Sequence, residues 1–295
     1  MAELPASSRP VATVEPADPV EAAFKREQVL FTKHRYDQAL TLLTELLARP
    51  DLKAHKRFEA LCRKAECLEH LNRPRAAVDL LREITRAHPD ESLGYSLLGE
   101  YLYRVHDDCP AALRALGRAL VLNPKDADTL WWRGQVWHQG LADLARARRS
   151  YVAALEADSR HASAMDSMAA LCEAEGRWIE AIDWRKRHYL RTRQATDLTA
   201  LADLYLRLEN VHAAMKYARS AVRRAPRSAA AWLQCAKAHA TGRRFTRAED
   251  ALRRFARLAN PASGPFLFSR DFGYLEPLQE HRPGLRALLD RLPTQ

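Results

Sequence analysis

Seven alanines recur along this chain at steps of 38, 35, 35, 34, 33 and 34 residues: Ala39, Ala77, Ala112, Ala147, Ala181, Ala214 and Ala248. Four residues after each comes a usually larger side chain, three further a small or apolar one, and then in most units a proline. The series reads Ala77, Leu81, Ile84, Pro89; Ala112, Leu116, Ala119, Pro124; and Ala214, Ala218, Ala221, Pro226. Spacings of four and three put these residues on one helical face. A small residue there lets two helix backbones approach closely, and the larger neighbours fill the gaps beside it. Proline then ends the helix, because it disfavours helical geometry in the residue before it.

Upstream of each alanine lies a second amphipathic stretch. Leu97, Leu98, Gly99 and Leu102 form one example, and Leu61, Ala65 and Leu68, then Trp132, Gly134 and Trp137, then Leu201, Ala202 and Tyr205 form others. Short polar breaks such as residues 71–74 and 174–177 separate the two stretches. A period this regular means one supersecondary unit repeated, each burying its apolar face against the next. The chain is therefore expected to be all-α. Its 10 glycines and its strong bias toward Ala, Leu and Arg argue against collagen-like, β-rich or linker-like alternatives.

The period, the helix–turn–helix unit, the Leu98-Gly99, Gly134, Tyr205 and Trp232 features and the alanine and proline series resemble the tetratricopeptide repeat family. The resemblance implies a right-handed α-solenoid of about seven repeats over residues 20–261. A disordered leader is expected over 1–19, where Pro5, Pro10, Pro16 and Pro19 interrupt a segment without an apolar run. Residues 262–295 are expected to cap the array, with a helix near 284–292 carrying Leu285, Leu288 and Leu289. This tail resembles the terminal segment of bacterial arrays of the family. Two departures weaken the copies: Arg185 and His188 stand where apolar residues are usual, and the first step is 38 residues long.

No phosphate loop, nucleophile elbow, zinc-protease or kinase signature is present. The five cysteines are scattered, form no C-x-x-C pair, and read as apolar fillers. The densest polar cluster, Val105 to Pro110, reads as a helix start, because Asp before Pro is a capping signal. The eleven histidines form no i, i+4 ligand face and read mostly as solvated positions. No enzyme activity, cofactor or metal is expected. No apolar run reaches membrane-spanning length, and a cytoplasmic location is expected.

The formal charge is +10, yet its division by face matters more. The resemblance implies that first helices line a concave groove and second helices the back. That register puts Glu59, Glu66, Glu69, Glu100, Asp128, Asp166, Glu173 and Asp203 in the groove, with Tyr103, Trp131 and Gln135. Arg104, Arg207 and Lys237 are the opposing bases. Trp131, one residue off the packing face of Trp132 and Trp137, is expected to be partly exposed. An acidic concavity captures oppositely charged ligands, so the expected partner is a protein or peptide segment that is basic and carries an apolar anchor. The role is that of scaffold or adaptor, co-chaperone included. The family's clamp for C-terminal carboxylates has no basic set at Phe24, Gln28, Arg63, Leu93 and Leu97. The alternative is RNA or polyanion binding by the arginine-rich back, although no RNA-recognition signature accompanies those arginines.

Overall fold

All seven alanines of the repeat are completely buried. In the computed structural model, which describes residues 18–258, each sits near the start of a helix that follows a tight turn. Fourteen α-helices account for the regular structure of the described residues, apart from one π-helical turn. In chain order they are α1 (Pro19–Thr32), α2 (Tyr36–Ala48), α3 (Ala54–His70), α4 (Pro74–Ala87), α5 (Ser92–His106), α6 (Cys109–Leu122) and α7 (Ala127–Gln135). After the π-helical turn Val136–Gly140 come α8 (Leu144–Ala157), α9 (Ala162–Ala174), α10 (Trp178–Thr192), α11 (Ala195–Arg207), α12 (Val211–Arg224), α13 (Ala229–Thr241) and α14 (Phe245–Leu258). Successive helices form seven pairs, one per alanine, in the all-α solenoid plan.

The turn inside each pair follows a rule. One residue adopts the left-handed conformation: His34, Asn72, Asp107, Ala142, Gly176, Glu209 and Arg243, each five residues before the alanine of its unit. Only one of these is glycine. The backbone must reverse within two or three residues, and a single positive φ achieves it; the strain at a non-glycine residue is about 1 kcal/mol or more, and helix packing offsets it. Side-chain caps then start several helices. Asp108 accepts from the Ala111 N–H at 3.0 Å, Asp143 from Arg146 at 2.8 Å and Asn210 from Ala213 at 3.0 Å. The polar cluster before Pro110 is thus a cap and turn, as its sequence suggests.

The chain divides into two compact units, with the division after Val136. In the first, each of α1 to α7 packs on the next. One core cluster joins Phe58, Leu81, Ile84, Leu98, Tyr101, Leu116 and neighbours, and a second joins Phe24, Leu43, Leu46 and Leu52. In the second unit, α8 to α12 form one run and α11 to α14 share a core of alanines with Met215, Leu233, Leu252 and Phe255. All five cysteines are buried and free. Burial pushes the Cys62 and Cys67 thiols up to about 12, so both stay protonated fillers.

Asp18 and Pro19 begin α1, Asp18 accepting from the Val20 N–H. The rest of the expected leader over 1–19, and the whole expected cap over 262–295, lie outside the described residues. Among the described residues no helix is long and apolar enough to cross a membrane.

Candidate partner-binding face

In the first unit, the first helices of the pairs lie side by side, and side chains one repeat apart bond across them. Glu27 of α1, only 2% exposed, accepts from the Arg63 guanidinium of α3 at 2.5 Å. Arg63 also reaches Glu59 at 3.0 Å. Lys56 bonds Glu59 at 3.1 Å and Glu21 at 3.3 Å, and both cations lie over the Phe24 ring. One repeat on, Arg104 of α5 bridges Glu69 of α3 at 2.7 Å and Glu100 of its own helix at 2.8 Å.

Between these two clusters stands Glu66. It accepts no hydrogen bond among the described residues, and it is partly buried. Burial raises its carboxyl above the ordinary carboxylate range; Arg63 pulls it back, while Glu27 and Glu69 push it further. Glu100 is also raised by burial, against the opposing pull of Arg104. Five carboxylates (Glu27, Glu59, Glu66, Glu69 and Glu100) thus share one face with three cations, the Arg63 and Arg104 guanidiniums and the Lys56 ammonium, and Glu66 is the one of the five that accepts no bond from them.

The remaining expected residues of this unit are less uniform. Tyr103 is half-buried against the core. Trp131 is half-buried, its ring 4.5 Å from that of Trp132. Asp128 is exposed. Gln135 is a correction: at 9% exposure it is buried and offers no open groove position. Two bases that the charge division by face overlooked, Lys56 and Arg63, moderate the acidity.

The second unit corrects the expectation more strongly. Arg185, standing where apolar residues are usual, turns inward at 15% side-chain exposure to bond Asp166 and Glu173. Both acids were expected to serve a partner; their charge is already answered. His188, 6% exposed, contacts Asp197 at 2.8 Å, and Asp197 is 1% exposed. Arg185 and His188 occupy the positions that hold Leu116 and Ala119 in the third unit, so this unit replaces an apolar core with a buried ionic one. Asp166, His188 and Asp197 bring metal-ligating atoms within 4.8 Å of one another. The Arg185 guanidinium, bonded to Asp166 and 3.7 Å from Asp197, already supplies the positive charge a cation would bring. Asp203 pairs with Arg207 at 2.8 Å, and Lys237 is buried rather than facing a groove. His188 and His239 are likewise buried, exceptions to the solvated histidines expected.

The repeat period itself carried the signal for the missed pairs. Glu27 and Arg63 are 36 residues apart, and Glu69 and Arg104 are 35 apart. Residues one period apart on first helices are neighbours, so opposite charges at that spacing are candidates for cross-helix pairing.

Comparison with known families agrees with this architecture. One family model described as tetratricopeptide repeat matches residues 30–101, and a second of the same description matches 96–146 and 199–263. No curated protein matches the chain. Among solved structures, PilW, described as a widely conserved type IV pilus biogenesis factor, is 18% identical with a TM-score of 0.62, over 73% of this chain and 98% of its own. The C-terminal part of a TPR repeat-containing protein from Cytophaga hutchinsonii is 14% identical with a TM-score of 0.60, over 78% and 89%. A tetratricopeptide repeat protein from Parabacteroides merdae is 15% identical with a TM-score of 0.54, over 88% and 97%. At these identities the likeness is one of fold.

Proposed function

The chain belongs to the tetratricopeptide repeat family, a family of protein-interaction scaffolds, and from that premise we propose that the acidic first-helix face of its N-terminal unit receives a basic segment of a partner protein. Glu66 is the position a lysine or arginine of that segment meets, with Glu59, Glu69 and Glu100 around it. The observation that supports it is the Glu66 carboxylate, which accepts no bond within a face of five acids and three cations. A cation arriving there relieves repulsion from Glu27 and Glu69 without displacing an existing bond, whereas Asp166 and Glu173 would first have to give up Arg185. Tyr103 and Trp131 supply apolar surface for an anchor. Exposed ion pairs contribute under about 1 kcal/mol each, so the anchor has to carry a large share of the affinity.

A carboxylate clamp gains no support: Phe24 is buried, and Arg63 is committed to Glu27 and Glu59. Nucleic-acid binding along the back is the weaker alternative: no RNA-recognition signature accompanies those arginines, and some of them pair locally, as Arg82 does with Asp79 and Arg253 with Glu249.

The test is a labelled peptide of Lys and Arg around one central Leu, titrated by fluorescence anisotropy at low and high salt. The reading expects binding that weakens as salt screens the face. The pair Glu66→Lys with Glu100→Lys should abolish binding while the circular dichroism spectrum is kept. Equal affinity in parent and variant would remove the basis of the reading.

A further inference from the structure

A cavity of about 480 Å³ lies between α12 and α13 in the second unit, far in sequence from the acidic face. Its described lining is Lys216, Arg219, Val222, Arg223, Trp232 and Cys235. Lys216, Arg219 and Arg223 follow the three- and four-residue spacing of one helical face and are all exposed. None has a carboxylate partner among the described residues: Arg219 donates to the Met215 carbonyl and Arg223 to the Ser220 hydroxyl. Beneath the cations the floor is apolar, built from Val222, Cys235 and the Trp232 ring.

Nearby groups report the same excess of positive charge. His239, two turns along α13 from Trp232, is buried with its Nδ1 unpartnered among the described residues. Burial first, then Arg247, Arg244 and Arg219, hold it below the ordinary histidine range. The environment favours an anion and disfavours any further cation.

We infer that this cavity is a docking site for an acidic peptide segment that inserts one apolar side chain onto the Trp232 floor while its carboxylates meet Lys216, Arg219 and Arg223. The volume admits an aromatic or branched side chain with room for the backbone that carries it. The Trp232 ring is held in place by its Nε1, which donates to the Pro226 carbonyl at 2.8 Å, with the Arg254 guanidinium 5.8 Å from its centroid. The three cations span about two turns of α12, roughly 10 Å at 1.5 Å per residue, which acidic side chains on both sides of an anchor can reach in an extended peptide. The site is independent of the basic-peptide face, and the chain would hold two segments of opposite charge.

The experiment uses the full chain and a short fluorescein-labelled peptide of Asp and Glu with one central Phe, read by anisotropy. Lys216→Glu with Arg223→Glu, both at exposed positions, should weaken binding about tenfold or more with an unchanged circular dichroism melt. Replacing the peptide's Phe by Ser should weaken it comparably, and Glu66→Lys with Glu100→Lys should leave it unaltered. The inference is overturned if the charge reversal leaves affinity unchanged or if the Phe makes no difference. Tighter binding of an oligouridylate of equal charge, in competition with the peptide, would equally overturn it.

Discussion

Gly99 faces Leu116 so closely that a methyl group on its Cα would stand 2.5 Å from the Leu116 Cγ and 3.1 Å from the Ala112 carbonyl oxygen. This is the crossing point of α5 and α6, and Ala112 is the repeat alanine of that unit. The approach explains why the period is written in small residues: both partners at the crossing have to be small. Gly99→Ala should destabilise the first unit by about 1–3 kcal/mol despite its better helix propensity. Urea unfolding monitored by circular dichroism measures it; a neutral or stabilising result would mean that the two helices can separate freely.

Ala214 makes the same point in the second unit. It is fully buried among α12 and its neighbours, so Ala214→Arg inserts a long charged chain where no space exists. Loss of cooperative unfolding in that unit is expected, whereas Lys216→Glu, two residues on and exposed, should leave the melt in place.

The ionic core around Asp197 has a distinct signature. Asp197→Ala leaves the buried His188 without its partner and takes one of three carboxylates from around Arg185, a loss of about 3 kcal/mol on the scale of broken buried pairs. Replacing the set together, with Arg185→Leu, His188→Ala and Asp197→Ala, should recover much of that loss, because it restores the apolar pattern of the other units. If the triple variant is no more stable than Asp197→Ala, packing rather than charge governs this unit.

Glu66 and Glu100 give the stability a pH dependence of known sign. Both carboxyls bind their proton more tightly in the folded chain than in the unfolded one. Their contribution is therefore fully present below the ordinary carboxylate range and is lost as pH rises through the raised folded values. Glu66→Gln should be more stable than the parent at pH 7, with the difference vanishing in acid. Denaturant melts across pH check this, and a constant difference at all pH values would contradict it.

Much of the fold is legible because its determinants are local. The alanine spacing, the Asp108 cap and the prolines after second helices each act within a few residues of themselves. The left-handed residues were not legible, since His34, Asn72, Ala142, Glu209 and Arg243 share no residue type and owe their φ to the turn the packing imposes. Of the candidate site, Glu59, Glu66, Glu69 and Glu100 were readable by register. The fate of Asp166 and Glu173 was not, because Arg185 reaches them across helices from a position that in other units is simply core. Gln135 was misplaced by the same register, because α7 gives way to a π-helical turn directly after it and its side chain is buried.

The Glu66 carboxylate, which accepts no bond from its neighbours, is proposed to receive a cation from a partner protein. This is tested most directly by isothermal titration of the Lys/Arg peptide into the full chain at low salt, comparing the parent with the single variant Glu66→Gln. The parent should bind with measurable affinity, and removing this one charge should weaken binding about severalfold, the scale of a single ion pair. Identical affinities in the two proteins would contradict it.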